Sequence, residues 1–216
     1  MTIWDAYETY RIMPNLRLHQ LRVAAVARTL AQALGADVDV VTKAGLLHDM
    51  GNIMKADFSQ FPPEFYGDHD ISYWQDVQAD CACRFGADEH IATAAIARDI
   101  GVSENIIALM DGMGFSKSSH ILNEGSLELQ ILEYADQRVA PYGIVSMMER
   151  LQEGHERYKA RVRSDYGEDD RRFEENLETL QELERKLFSG LAITPSSLTE
   201  ESLSSTMDSL RSFVIA

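Results

Sequence analysis

The chain has 216 residues, with 20 Lys and Arg against 35 Asp and Glu, a formal charge of −15. Hydrophobic residues at 45% and charged residues at 25% are ordinary globular values, which exclude a disordered or collagen-like chain. The acidic balance opposes the electrostatics that drive binding to nucleic-acid backbones and anionic lipid, so neither long nucleic acid nor a membrane is an expected partner. The opening residues MTIWDAYETYR lack the basic start and apolar run of a signal peptide. No stretch approaches the ~20 apolar residues of a membrane helix, and a soluble, cytoplasmic protein is expected. Cys81 and Cys83 form a C-x-C pair, too few ligands for a metal and poor geometry for a disulfide, and both read as small buried thiols.

Apolar residues recur at helical spacing and alternating patterns are scarce, so the fold class is all-α. Pro14 opens a helix that Gly35 closes, with Leu16, His19, Val23, Val26, Leu30 and Ala33 facing inward. Asp37 caps a second helix, whose stripe Val41, Ala44, Gly45, His48 runs to a stop at Gly51. FPPEFYGDHD reads as a turn-rich loop with an aromatic lining. Helices are then expected over 74–84, over 88–100 between Gly86 and Gly101, and after Ser103, before the pattern breaks at GMGFSKSSH. Ser126 starts a helix with Leu129, Leu132, Asp136 and Val139 inward, interrupted by Pro141 and Gly143. Ile144, Met147, Met148, Leu151, His155, Tyr158 and Val162 make a further amphipathic face. Phe173, Leu177, Leu180 and Leu187 mark a charged helix ending at Gly190, and Leu203, Met207, Leu210 and Val214 repeat at helical spacing in a Ser-rich tail.

Three of these stripes carry a polar residue where an apolar one is expected: His19, His48 with its neighbour Asp49, and Asp136. A buried imidazole or carboxylate needs a hydrogen bond, an ion pair or a metal. A lone core histidine is usually satisfied by the protein itself, and His155 is assigned to packing on that ground. One shared ion, however, would satisfy all four residues. Two imidazoles and two carboxylates suit a divalent Mn, Fe, Co, Ni or Mg ion with positions left open for water.

The ordered set HQLRVAAVARTLA, LLHDMGN and LEYADQRV resembles the HD-domain superfamily over roughly residues 14–150. The resemblance implies an all-α fold, metal ligands at His19, His48, Asp49 and Asp136, and metal-dependent hydrolysis of a small phosphorylated molecule such as a nucleotide. It departs from the family where Asn52 follows Gly51 in place of a common Lys, with Lys55 three residues later. His90 resembles the first of two further histidines that hold a second ion in binuclear members; its alternative is packing over Ala94 and Ala97. The second histidine has no clear match, though Asp111 is a substitute oxygen ligand. Beside the ligands, Arg22 sits one turn beyond His19, and the expected catalytic set is Asp49, Arg22 and Lys55. Arg17, Arg138 and His69 are weaker candidates. A regulatory, ligand-sensing module is the competing reading, and di-iron oxygen chemistry a third. The expected division is a metal-binding helical domain over 1–163 and accessory C-terminal helices over 164–216, the latter suited to a homo-oligomer contact.

Overall fold

The computed structural model describes residues 1–159 and 170–216. Its helices are α1 (Ile3–Thr9), α2 (Pro14–Leu34), α3 (Val38–Leu47), α4 (Ile71–Phe85), α5 (Glu89–Ile100), α6 (Glu104–Gly112), α7 (Ser118–Glu124), α8 (Leu127–Asp136), α9 (Met147–Lys159), α10 (Asp170–Phe188) and α11 (Glu200–Leu210). A two-stranded hairpin, β1 (Val139–Ala140) and β2 (Gly143–Ile144), joins α8 to α9 in antiparallel register, Val139 opposite Ile144. The all-α expectation holds, but α8 stops at Asp136, short of the break read at Pro141 and Gly143: Val139 lies in β1, Pro141 in the hairpin's turn and Gly143 in β2. No described helix is long and apolar enough to cross a membrane.

Helix ends follow local chemistry. Pro14 occupies the first turn of α2, and Gly35 closes it with φ of 73°, a left-handed conformation that costs glycine nothing. Asp37, Asp88 and Ser126 cap α3, α5 and α8 through their side-chain oxygens. Two helices escaped the periodicity because each is short. Thr2 and Asp5 form a reciprocal capping box that starts α1, and α7 begins inside the segment where the pattern breaks.

The core is one contiguous cluster centred on α2, whose Val23, Ala24, Ala25, Val26 and Ala27 are fully buried. Such a run of small residues lets neighbours approach closely. A Cβ added at Gly45 of α3 would lie 2.9 Å from Ala24 Cα, so this pair of residues brings α2 and α3 into backbone contact. Beyond His48 the chain turns, and a Cβ at Gly51 would lie 2.4 Å from the Glu89 carbonyl oxygen. The Gly51 N–H instead donates to Thr93 Oγ at 2.9 Å, which pins the turn to α5.

The C-terminal helices are built into the same core rather than laid upon it. Leu180, Leu183 and Leu187 of α10 and Leu203, Met207 and Leu210 of α11 are buried in the cluster that contains α2. Arg138 is buried and ties the segment after α8 to the one before α11. Its guanidinium donates to the carbonyls of Val145, Pro195 and Leu198 and to the Tyr134 hydroxyl. Val214 is exposed and Ile215 buried, contrary to the tail's helical spacing. The helix stops at Leu210, and Val214 sits in an extended segment that bridges Thr2. Val162 and the expected boundary at 163/164 lie outside the described residues, as does the side chain of Tyr158. Cys81 is buried but Cys83 is exposed, because successive odd positions on α4 point to different sides.

Candidate metal centre

α3 ends at Leu47, so His48 stands at the helix terminus and Asp49 in the turn that follows. The close α2–α3 crossing at Ala24 and Gly45 then brings His19 of α2 beside them. Asp136, the last residue of α8, completes the group. His19 Nε2 lies 3.1 Å from Asp136 Oδ1 and 3.6 Å from Asp49 Oδ2. His48 Nε2 lies 3.7 Å from each of the same two oxygens, and the imidazole rings are 5.3 Å apart. His19, His48 and Asp49 each place a potential ligand atom within 4.8 Å of the others.

His48 tests whether this group fits an ion. Its Nδ1 is 2.9 Å from the Gly45 carbonyl oxygen, an obligate acceptor, so Nδ1 carries its hydrogen and Nε2 is turned to the cluster. That Nε2 is buried and has no hydrogen-bond partner. An orphaned imidazole nitrogen between two carboxylates is what a cation would satisfy, and the N2O2 donor set suits a divalent first-row metal. Burial alone lowers the His48 imidazole, but Asp49, Asp136 and the Gly45 carbonyl more than offset it and push it up to about 9. Burial likewise opposes the Asp136 charge, yet His19 and His48 hold that carboxyl well below the usual carboxylate range.

Two cavities open on the cluster. One, of about 560 Å³, reaches His48, Asp49, Asp136 and Gln137 and runs between α6, α9 and α10. The other, of about 260 Å³, reaches His19, Asp49 and Asp136 and is rimmed by Asn15, Asn52 and the aromatic side chains Phe61 and Phe65. Lys55 and Arg150 line both. Lys55 Nζ also lies 3.3 Å from Glu89 Oε1. The expected aromatic lining of FPPEFYGDHD is thus present in part, while Asp70 is spent on capping α4 and His69 is stacked on Tyr73 at 3.7 Å.

Other expectations are corrected. Arg22 does not face the cluster. Its guanidinium is bound by Glu200 of α11, with Nε 2.9 and 3.0 Å from the two carboxylate oxygens, and it lines neither cavity. One turn from His19 points toward the C-terminal helix, because that is what packs against α2 on this side. Arg17 pairs with Glu8 and lies over the Trp4 ring. His90 is not packed over Ala94 and Ala97: its side chain is 68% exposed, lies at the edge of the larger cavity and stays outside the ligand cluster. Asp111 is exposed, and among the described residues it does not join the ligand cluster.

Arg150 and Glu133 were not singled out from the sequence. Arg150 Nε donates to the Val139 carbonyl at 2.8 Å, which anchors α9 to the hairpin. A Cβ at Gly154 would lie 2.7 Å from the Arg150 NH1, so the mid-helix glycine one turn on makes room for the guanidinium. A glycine inside an amphipathic run, which costs a helix about 1 kcal/mol, was the available signal. Glu133 is fully buried one turn before Asp136, accepting from the Gly114 N–H at 2.7 Å and from Gln137 Nε2 at 3.1 Å. Burial, with the Asp136 charge adding to it, pushes this carboxyl up to about 7 despite those two donors.

A raised carboxyl contributes stability that is complete below its unfolded value and is lost as pH rises through the folded value. For Glu133 that window runs from about 4.5 to about 7. With metal chelated, stability measured by urea unfolding should therefore fall across this window at up to about 1.4 kcal/mol per pH unit. Glu133→Gln, whose amide can be matched by a flipped Gln137, should flatten the slope. Equal slopes in both proteins would assign the pH dependence elsewhere.

A family model described as the HD domain matches residues 17–140. The chain belongs to the HD-domain family. That match carries His19, His48, Asp49 and Asp136, and it ends before Arg150 and the α9–α11 helices. HD domains form a superfamily of metal-dependent phosphohydrolases, and the His/Asp cluster is a candidate metal site within this one. Searches of curated proteins and of solved structures return no match.

Proposed function

We propose that this HD-domain protein hydrolyses a small phosphoester, with one divalent ion held by His19, His48, Asp49 and Asp136. The observation that carries the reading is the buried His48 Nε2, without a hydrogen bond and 3.7 Å from two carboxylate oxygens. A divalent ion bound there supplies Lewis acidity toward a phosphoryl oxygen and lowers the pKa of water. The protein's own groups bind and orient around it. Lys55 and Arg150, which line both cavities, neutralise phosphoryl oxygens, and Arg150 does so from a fixed position because its Nε is committed to Val139. Asp49 has one oxygen for ligation and a second to orient water, and its backbone N–H lies 3.4 Å from Gln20 Oε1. Cavities open on both sides of the cluster support turnover over a plugged regulatory pocket.

Elemental analysis of the purified protein, followed by a phosphatase screen over nucleotides and phosphosugars with Mn²⁺, Co²⁺ and Mg²⁺, tests this. Arg150→Ala should keep its metal and lose on the order of 10²-fold in kcat/KM, the scale of a lost transition-state donor. If wild type turns over no phosphoester with any metal, yet a nucleotide raises its Tm, the protein is a sensing module instead.

A further inference from the structure

The larger cavity has two kinds of lining. Beside the polar cluster it is walled by Met110, Met113, Phe115, Leu151, His155 and Phe173. Three rings stand in a row there. The Phe115 centroid is 5.7 Å from that of Phe173, and His155 is stacked on Phe173 at 3.9 Å with the planes 19° apart. Each of the three is half-buried and lines the cavity. About 560 Å³ is far more than a phosphoryl group fills and lies within the range of small-molecule sites. Leu151, His155 and Phe173 lie beyond residue 140, where the family match ends, so half of the six wall residues fall outside that match.

We propose that this wall is the specificity subsite of the same centre, and that the substrate is a phosphoester whose organic part is a flat system of one or two aromatic rings. The inference rests on the phosphohydrolase reading and adds the substrate class to it. Aromatic rings and thioethers pack favourably against a flat π-system. A sugar phosphate placed there would turn hydroxyls toward apolar side chains and lose hydrogen bonds it makes to water. The assignment gives His155 a role beyond packing: it backs Phe173 and presents its own edge of the stack to the ligand. Selectivity in this protein comes from α6, α9 and α10 acting together, while the phosphoryl end is handled by Lys55, Arg150 and the metal ligands.

The test is binding, separate from turnover. The full chain loaded with Mn²⁺ is titrated calorimetrically with phenylphosphonate, cyclohexylphosphonate and methylphosphonate, whose C–P bonds are not hydrolysed. Phenylphosphonate should bind about tenfold or more tighter than methylphosphonate. Phe173→Leu and Phe115→Leu, which keep apolar bulk for the fold, should each cut that ratio severalfold and leave methylphosphonate affinity unchanged. Equal affinity for the phenyl and methyl compounds would overturn the subsite and leave the phosphohydrolase reading standing. Cyclohexylphosphonate binding as tightly as phenylphosphonate would overturn the aromatic preference, and a preference unchanged in both leucine variants would overturn the assignment to this wall. If none of the three phosphonates binds the loaded protein, both readings fail.

Discussion

His48→Ala is expected to empty the centre of metal and abolish hydrolysis while the fold survives. The imidazole is the innermost of the four candidate ligands, with a side chain 5% exposed, and its Nε2 makes no hydrogen bond within the protein. Outer hydrogen-bonding partners of metal ligands alone are worth about 10–100-fold in affinity, so deleting a direct ligand should weaken binding by more than about 100-fold. Activity should fall at least about 10³-fold, since Lewis-acid stabilisation is worth several kcal/mol. Metal content per chain and a thermal melt are the measurements. Arg22→Ala is the companion variant: its guanidinium is bound by Glu200, so it should lose stability and retain its metal. Full metal content in His48→Ala would remove the cluster from consideration.

Arg138→Ala should be the most damaging single change to stability. Arg138 is 3% exposed and its guanidinium supplies donors to three backbone carbonyls and one hydroxyl, drawn from α8, the residue just past β2, and the segment before α11. Removing it strands the buried Leu198 carbonyl and Tyr134 hydroxyl and the half-buried carbonyls of Val145 and Pro195. Each buried acceptor left without its donor costs about 1–3 kcal/mol, so the set is a large part of the total stability of a domain. Urea unfolding at neutral pH would measure it. Arg138→Lys should recover only part of the loss, because an ammonium cannot reproduce a planar fork reaching several acceptors. A loss under about 1 kcal/mol in Arg138→Ala would mean the C-terminal segment is held by apolar contacts alone.

The same two arginines show where sequence reasoning ends. Arg138 lies two residues after Asp136, which on a helix turns it away from the metal side, and it is indeed bound into the C-terminal segment. Arg22, three residues after His19, shares roughly its face, and that proximity suggested a substrate contact. What occupies the space beside that face is α11, whose Glu200 is 178 residues away along the chain. No local pattern encodes that contact. Arg150 was hidden for the complementary reason: in sequence it is one charged residue among many on α9, and only the docking of that helix against the hairpin carries it to both cavities.

The sequence by itself determined the helical class, most helix ends, and the four residues of the cluster. Caps, helix-closing glycines and apolar stripes act over three or four residues, and a histidine or aspartate inside such a stripe is a local anomaly visible without neighbours. The tertiary structure decided which charges serve the site, that α10 and α11 share the core with α2, and that Phe115, His155 and Phe173 form one wall. Those facts depend on contacts between distant segments, whose geometry is set by close packing of the whole core rather than by any residue's immediate sequence.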